Sequence, residues 1–141
     1  YEQVKETLNR IREGFTEPHE GVVIEYVNPV TGSSAMPTMS FFMQLLRPNE
    51  TTTFQRSTAS NAYCAFEGAG STEIGDTTFQ WGSKDIFVVP KWTWFRHTNN
   101  TDNDVYLFWA SDEATMRKLE LYRSQYRKDS GEVVEVIEDF R

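Results

Sequence analysis

Nine short runs of β-branched and aromatic residues, at 22–27, 39–46, 51–56, 61–66, 71–74, 77–81, 85–89, 94–98 and 105–110, constrain this chain more than any other feature. Side chains of these types pack well on a pleated, half-buried surface, so the runs read as strands. Between them lie Asn28-Pro29, Thr31-Gly32, Arg47-Pro48-Asn49, Glu67-Gly68, Gly75-Asp76, Gly82-Ser83 and the polar stretch 99–103, all of turn-forming chemistry. Strands so closely spaced predict an all-β sandwich or barrel. No strand alternates with a full helix, which disfavours a parallel α/β sheet.

Helical spacing occurs only at the two ends. Tyr1, Val4, Leu8 and Ile11 fall on one face among Glu2, Lys5, Glu6, Arg10 and Arg12, predicting an amphipathic helix that Gly14 ends. A helix this short needs a surface to cover, on the following domain or on a neighbouring chain. After Ser111 or Asp112 as N-cap, Met116, Leu119, Tyr122 and Tyr126 share a face, predicting a second amphipathic helix. The stretch 131–141 alternates valines with Glu132, Glu135 and Glu138, and its conformation is left open. The expected division is a linker helix over 1–14, a barrel over 15–111 and a C-terminal helix and tail over 112–141. Opening on Tyr1 inside a helical pattern, the chain is expected to be part of a larger polypeptide.

Composition narrows the function classes. The 141 residues suit one domain with one core, and 4 Trp, 6 Tyr and 10 Phe are too much apolar bulk for a disordered segment. With 21 acidic against 14 basic residues and a formal charge of -7, the chain repels phosphate backbones, so no nucleic-acid partner is expected. Cys64 is the lone cysteine, which forbids an intrachain disulfide and favours a reducing, cytoplasmic setting. No apolar run approaches the roughly 20 residues of a membrane helix, and no signal-peptide pattern opens the chain, so no membrane partner is expected.

The wording Tyr26-Val27-Asn28-Pro29-Val30-Thr31-Gly32, Ala35-Met36-Pro37-Thr38-Met39, Gln44-Leu45-Leu46, Glu67-Gly68-Ala69-Gly70 and Val88-Val89-Pro90-Lys91-Trp92-Thr93-Trp94 resembles the cupin superfamily, and within it the C-terminal, second cupin of gentisate 1,2-dioxygenase-type proteins. Several segments match in order, from about Gly21 to Tyr122. The resemblance implies a cupin double-stranded β-helix, a jelly-roll barrel flanked by the two helices. It further implies a bicupin parent that opens the ring of a hydroxylated aromatic acid with dioxygen and a mononuclear non-haem Fe(II), held by the upstream cupin of the same chain. In the metal-binding form of the motif two His, a Glu and a later His converge on the ion, since imidazole and carboxylate suit Fe(II). The family spacing places those positions here at Gln55, Ser57, Asn61 and Phe95, none of which is a strong ligand. Asn99 matches the family's Asn that closes the second motif.

The remaining candidates have bland and functional readings. Only His19 and His97 occur. His97 shares the face of Phe95 by strand alternation and reads as a hydrogen-bonded histidine near a strand end, against a rescued ligand or general base; His19 reads as a surface residue. Trp81, Trp92, Trp94 and Trp109, with Tyr63 and Phe95, fill a barrel or line an aromatic pocket, with filling preferred and Tyr63, Trp94 and His97 as pocket candidates. Arg47, Arg56 and Arg96 read as solvated or paired arginines before carboxylate clamps, with Arg56 pointing out of the barrel. Asp85 reads as a turn cap and Cys64 as a buried, inert thiol. The sequons Asn49-Glu50-Thr51 and Asn99-Asn100-Thr101 carry no weight without a secretory signal.

Three functions compete. The first is a metal-free C-terminal cupin with no catalytic or cofactor-binding residue of its own, serving an upstream catalytic cupin structurally and in homo-oligomer assembly. The second is a stand-alone metal-free cupin that binds or senses a small aromatic or acidic ligand through Gln55, Ser57, Asn61 and His97. The third, ranked last, is a metal-independent epimerase using His97 with Tyr63 or Tyr106.

Overall fold

Strand Ser40–Leu46 reads SFFMQLL and is buried almost throughout, and this double burial sets the layering of the molecule. Phe42 and Leu46 face one cluster with Tyr63, Trp81, Phe95, Leu107 and Trp109, whereas Met43 and Leu45 face a second with Leu8, Val22 and Tyr106. A strand in the middle of a sheet can do this because successive side chains point to opposite faces. The first cluster is the barrel interior; the second lies between the sheet and the N-terminal helix.

The computed structural model describes residues 1–11 and 22–136. In order, its elements are α1 (Glu2–Ile11), β1 (Val22–Tyr26), β2 (Ser40–Leu46), β3 (Phe54–Ser57), β4 (Asn61–Glu67), β5 (Gly70–Ile74), β6 (Thr77–Trp81), β7 (Ile86–Val89), β8 (Phe95–Thr98), β9 (Val105–Ser111), α2 (Glu113–Lys118), β10 (Ser124–Arg127) and β11 (Val133–Val136). Two antiparallel sheets result, with strand orders β1-β2-β9-β4-β7 and β11-β10-β3-β8-β5-β6. Each of the nine expected runs carries a strand, and the arrangement is the jelly roll the sequence reading anticipates. The third run starts late, at Phe54, because Thr52 meets β8 through its side chain: Thr52 Oγ1 accepts the His97 N–H at 3.0 Å, and the Thr52 N–H reaches the His97 carbonyl at 3.0 Å.

Helix α1 covers the outer face of the five-stranded sheet. Leu8 is fully buried there, a burial of about 2 kcal/mol. Lys5 Nζ reaches Glu67 Oε2 at 3.0 Å, and Asn9 Nδ2 donates to Tyr106 Oη at 2.7 Å. The hydrogen bonds from Lys5 and Tyr1 hold the Glu67 carboxyl below the usual range. Of the two surfaces the sequence leaves open for this helix, the chain's own barrel takes it. Gly14 lies outside the described residues.

The second helix requires a correction. It stops at Lys118, and Ser124–Arg127, expected as its continuation, is instead a strand. Glu120 adopts φ 58°, and the Leu121 N–H turns back to the Met116 carbonyl at 2.8 Å, a Schellman-type closure. On the face that spacing marks as apolar, Leu119 is 59% exposed. Strand β10 then pairs with β3 on one side, Ser124 opposite Ser57, and with β11 on the other. The open question of the tail is answered through Val136, as β11.

Candidate functional site

Alternation points Gln55 and Ser57 of β3, Asn61 of β4 and Phe95 of β8 into the barrel, and all four line one cavity of about 350 Å³. Gln55 and Phe95 are directly opposed across the β3–β8 pair. Tyr63 lies deeper in the same wall, its ring 5.2 Å from that of Trp109 and 4.6 Å from that of His97. Phe42 stacks on Trp109 at 4.7 Å. The positions that sequence spacing groups are therefore neighbours in space.

Their chemistry does not fit Fe(II). Two amides, a hydroxyl and a phenyl offer neither the imidazole nor the anionic carboxylate that the ion takes. Among the described residues no cluster of three or more His, Cys, Asp and Glu has metal-holding geometry. Two of the charged groups that line the cavity engage each other: Arg117 Nε reaches Glu113 Oε2 at 3.2 Å, and its guanidinium lies 4.2 Å from the Tyr122 ring centre. Burial, with Glu113 beside it, pushes the Tyr122 hydroxyl far above its ordinary pKa, so it stays protonated.

His97 and Trp94 stand apart from the cavity lining. His97 is fully buried, and its Nδ1 lies 2.8 Å from Thr72 Oγ1, which also accepts the Trp81 indole N–H at 2.9 Å. The threonine hydroxyl, with one hydrogen and two lone pairs, can accept the indole N–H and still pair with Nδ1 as donor or acceptor, according to the imidazole tautomer. Nε2 has no hydrogen-bond partner among the described residues, and burial lowers the histidine pKa to about 3. A group so hard to protonate is a poor base near neutral pH.

Trp94 belongs to the outer face of the six-stranded sheet. There Trp92 lies near Arg56 (4.3 Å) and Arg123 (4.9 Å), Trp94 near Arg56 (4.3 Å) and Arg127 (5.1 Å), and Phe54 near Arg96 and Arg127 (4.4 Å each). Four guanidiniums and three rings thus alternate in one ladder. Arg56 also donates to Gln125 at 2.9 Å, and Arg96 pairs with Glu73 at 3.1 Å. Arg47 pairs with Glu50 at 3.3 Å.

Asp85 Oδ2 accepts the Gly82 N–H at 2.9 Å, a turn cap. Cys64 is half-buried on the outer face of β4 instead of sealed in the core. Asn99 is fully buried, its Nδ2 lying 2.7–3.2 Å from the carbonyls of Leu46, Arg47 and Asn103, so it ties the end of β2 to the 99–103 turn. His19 lies outside the described residues.

Sequence reasoning missed the outer wall of the cavity: Arg117 and Tyr122, with Ser124 and Tyr126 of β10, and Gln44 of β2. The helical reading of 112–126 concealed them. Their signal was the alternation of Ser124 and Tyr126 with Gln125 and Arg127, followed by the Asp129-Ser130-Gly131 turn that sends β11 back.

No family model matches the chain. It is 44% identical over 108 residues to a 5-aminosalicylate 1,2-dioxygenase of Comamonas sp, covering 77% of this chain and 29% of that protein. It is 39% identical over 124 residues to gentisate 1,2 dioxygenase 1 of Aquipseudomonas alcaligenes, covering 87% and 35%. Among solved structures it superposes on a salicylate 1,2-dioxygenase from Pseudoaminobacter salicylatoxidans, crystallised with gentisate, with a TM-score of 0.82 at 28% identity, over 89% of this chain and 36% of that one. A cupin 2 domain-containing protein from Halorhodospira halophila, TM-score 0.59 at 15% identity, shares the fold over 70% of this chain and 67% of its own. The chain thus spans about a third of the length of the dioxygenases it matches.

Proposed function

Starting from a chain that belongs with the gentisate- and salicylate-type 1,2-dioxygenases and carries one cupin barrel of their kind, we propose that it is the C-terminal, metal-free cupin of a cytoplasmic ring-cleaving enzyme, with a structural and oligomer-forming role. Fe(II) and catalysis belong to an upstream cupin of the same polypeptide. One observation supports this above the others: the four positions at which the metal-binding motif places its ligands share one cavity and carry Gln55, Ser57, Asn61 and Phe95. Dioxygen chemistry needs a redox ion with open positions, and these side chains give it no anchor.

The test is elemental analysis of the purified 141-residue chain after incubation with Fe(II) and removal of excess metal, together with oxygen uptake on gentisate. Iron far below one equivalent per chain and uptake at background are expected. Near one iron per chain, or uptake above background, overturns the reading. For assembly, sedimentation at high concentration should show self-association, and a monomer removes that part.

A further inference from the structure

The cavity left between the two sheets is lined with hydrogen-bonding side chains, and one of these is left over. Asn61 is 9% exposed and lines the cavity, and its side-chain amide has no hydrogen bond to any described residue. Its amide is not sealed in the packing but opens onto the cavity. Facing the cavity, that amide is available to a ligand presenting both a donor and an acceptor. Around Asn61 stand the rings of Tyr63, Phe95 and Trp109, flat apolar walls suited to a planar guest. About 350 Å³ falls within the range of small-molecule sites.

Charge decides the class of guest. The cation on the cavity wall, Arg117, is already bonded to Glu113 at 3.2 Å and stacked on Tyr122, and Glu25 adds a second carboxylate to the lining. The other lining arginine, Arg56, is taken by Gln125 and two indoles on the outer face. A carboxylate entering here would share Arg117 with the carboxylate of Glu113 and lie near that of Glu25, and the like charges oppose it.

We propose that this cavity is a binding site for a small neutral aromatic molecule bearing a paired donor and acceptor, such as a primary carboxamide, with Asn61 as its polar anchor. Glu25 and Arg117 also line an adjoining open groove of about 680 Å³ walled by residues of the loop at 28–37. The proposal rests on the metal-free reading above, since an ion at Asn61 would occupy the same amide.

Benzamide and benzoate, nearly equal in shape and different in charge, are the probes. Titrated into the 15N-labelled 141-residue chain with EDTA present, benzamide should bind with a dissociation constant below about 1 mM and shift the Asn61 Nδ2 resonances. Benzoate should bind at least about tenfold more weakly. Asn61→Leu, which fills the space with a methyl-tipped side chain, should lose benzamide binding by about tenfold or more while keeping the wild-type circular dichroism. Absent or equal binding of the two probes, unmoved Asn61 resonances or undiminished binding by Asn61→Leu overturns the proposal; should that variant not fold, the wild-type resonances decide. Metal analysis of the same sample without EDTA separates failure of the metal-free reading from failure of this one.

Discussion

His97 makes the stability of this domain depend on pH in a calculable way. In the unfolded chain an imidazole titrates near 6.5, whereas in the native core burial holds it at about 3. The native pKa is the depressed one, so as pH falls below 6.5 the unfolded state gains a proton that the native state refuses, and stability drops. Each pH unit within that window costs about 1.4 kcal/mol, and integration from pH 8 to pH 5 gives a loss of about 2 kcal/mol from this residue alone. The assay is urea denaturation of the chain and of His97→Gln at half-unit steps from pH 8 to 5. Glutamine keeps an acceptor for the Thr72 hydroxyl and cannot titrate. Every other titratable group is common to both proteins, so its effect cancels in the difference. The stability advantage of the wild type over the variant should shrink by about 2 kcal/mol across the range. A difference that stays constant within about 0.5 kcal/mol would mean that His97 takes up a proton in the native state, and would refute the burial argument.

Three further outcomes are expected from stability measurements on purified variants. Gly68→Ala places a Cβ 2.6 Å from Val105 Cγ2 at a residue with φ 98°, and should lower stability by about 2 kcal/mol or more; an unchanged denaturation midpoint contradicts this. Asn99→Ala leaves the carbonyls of Leu46, Arg47 and Asn103 without their shared donor and should cost about 2–4 kcal/mol by thermal or chemical melting, with hydrogen exchange rising first in the 99–103 turn. Trp94→Ala removes a ring flanked by Arg56 and Arg127; a double-mutant cycle with Arg127→Ala should show a coupling of about 0.5–1 kcal/mol, and zero coupling would show the contact to be incidental.

The barrel was legible because its strands carry two local signals that agree. Branched and aromatic residues fill the runs, and Gly, Asn or Pro sits at most of the reversals. The grouping of Gln55, Ser57, Asn61 and Phe95 came from the family resemblance, whose motif spacing marks them as ligand positions. Residues 116–126 were misread because Met116, Leu119, Tyr122 and Tyr126 satisfy a helical period by coincidence, while the deciding contacts, Ser124 with Ser57 and Tyr126 with Gln55, join residues some seventy positions apart. The placement of Trp94 failed for another reason. It was grouped with the interior aromatics, although alternation sets it opposite Phe95 on the face of Arg96, where Arg56 and Arg127 flank it. The single hydrogen bond of the His97 ring could not be foreseen either, because its partner Thr72, which also accepts the Trp81 indole N–H, lies on another hairpin.

The alternating arginines and rings along β3, β8 and β10 have a consequence for how this acidic chain meets its surroundings. Bare indoles on a sheet face invite hydrophobic sticking, and bare guanidiniums invite polyanions. Interleaved as they are, each occupies the surface the other would offer to a stranger, and Glu73 and Glu135 take up the charge at Arg96 and Arg123. A face that by composition ought to be adhesive is thereby made quiet, and truncating one rung would unmask its two neighbours at once.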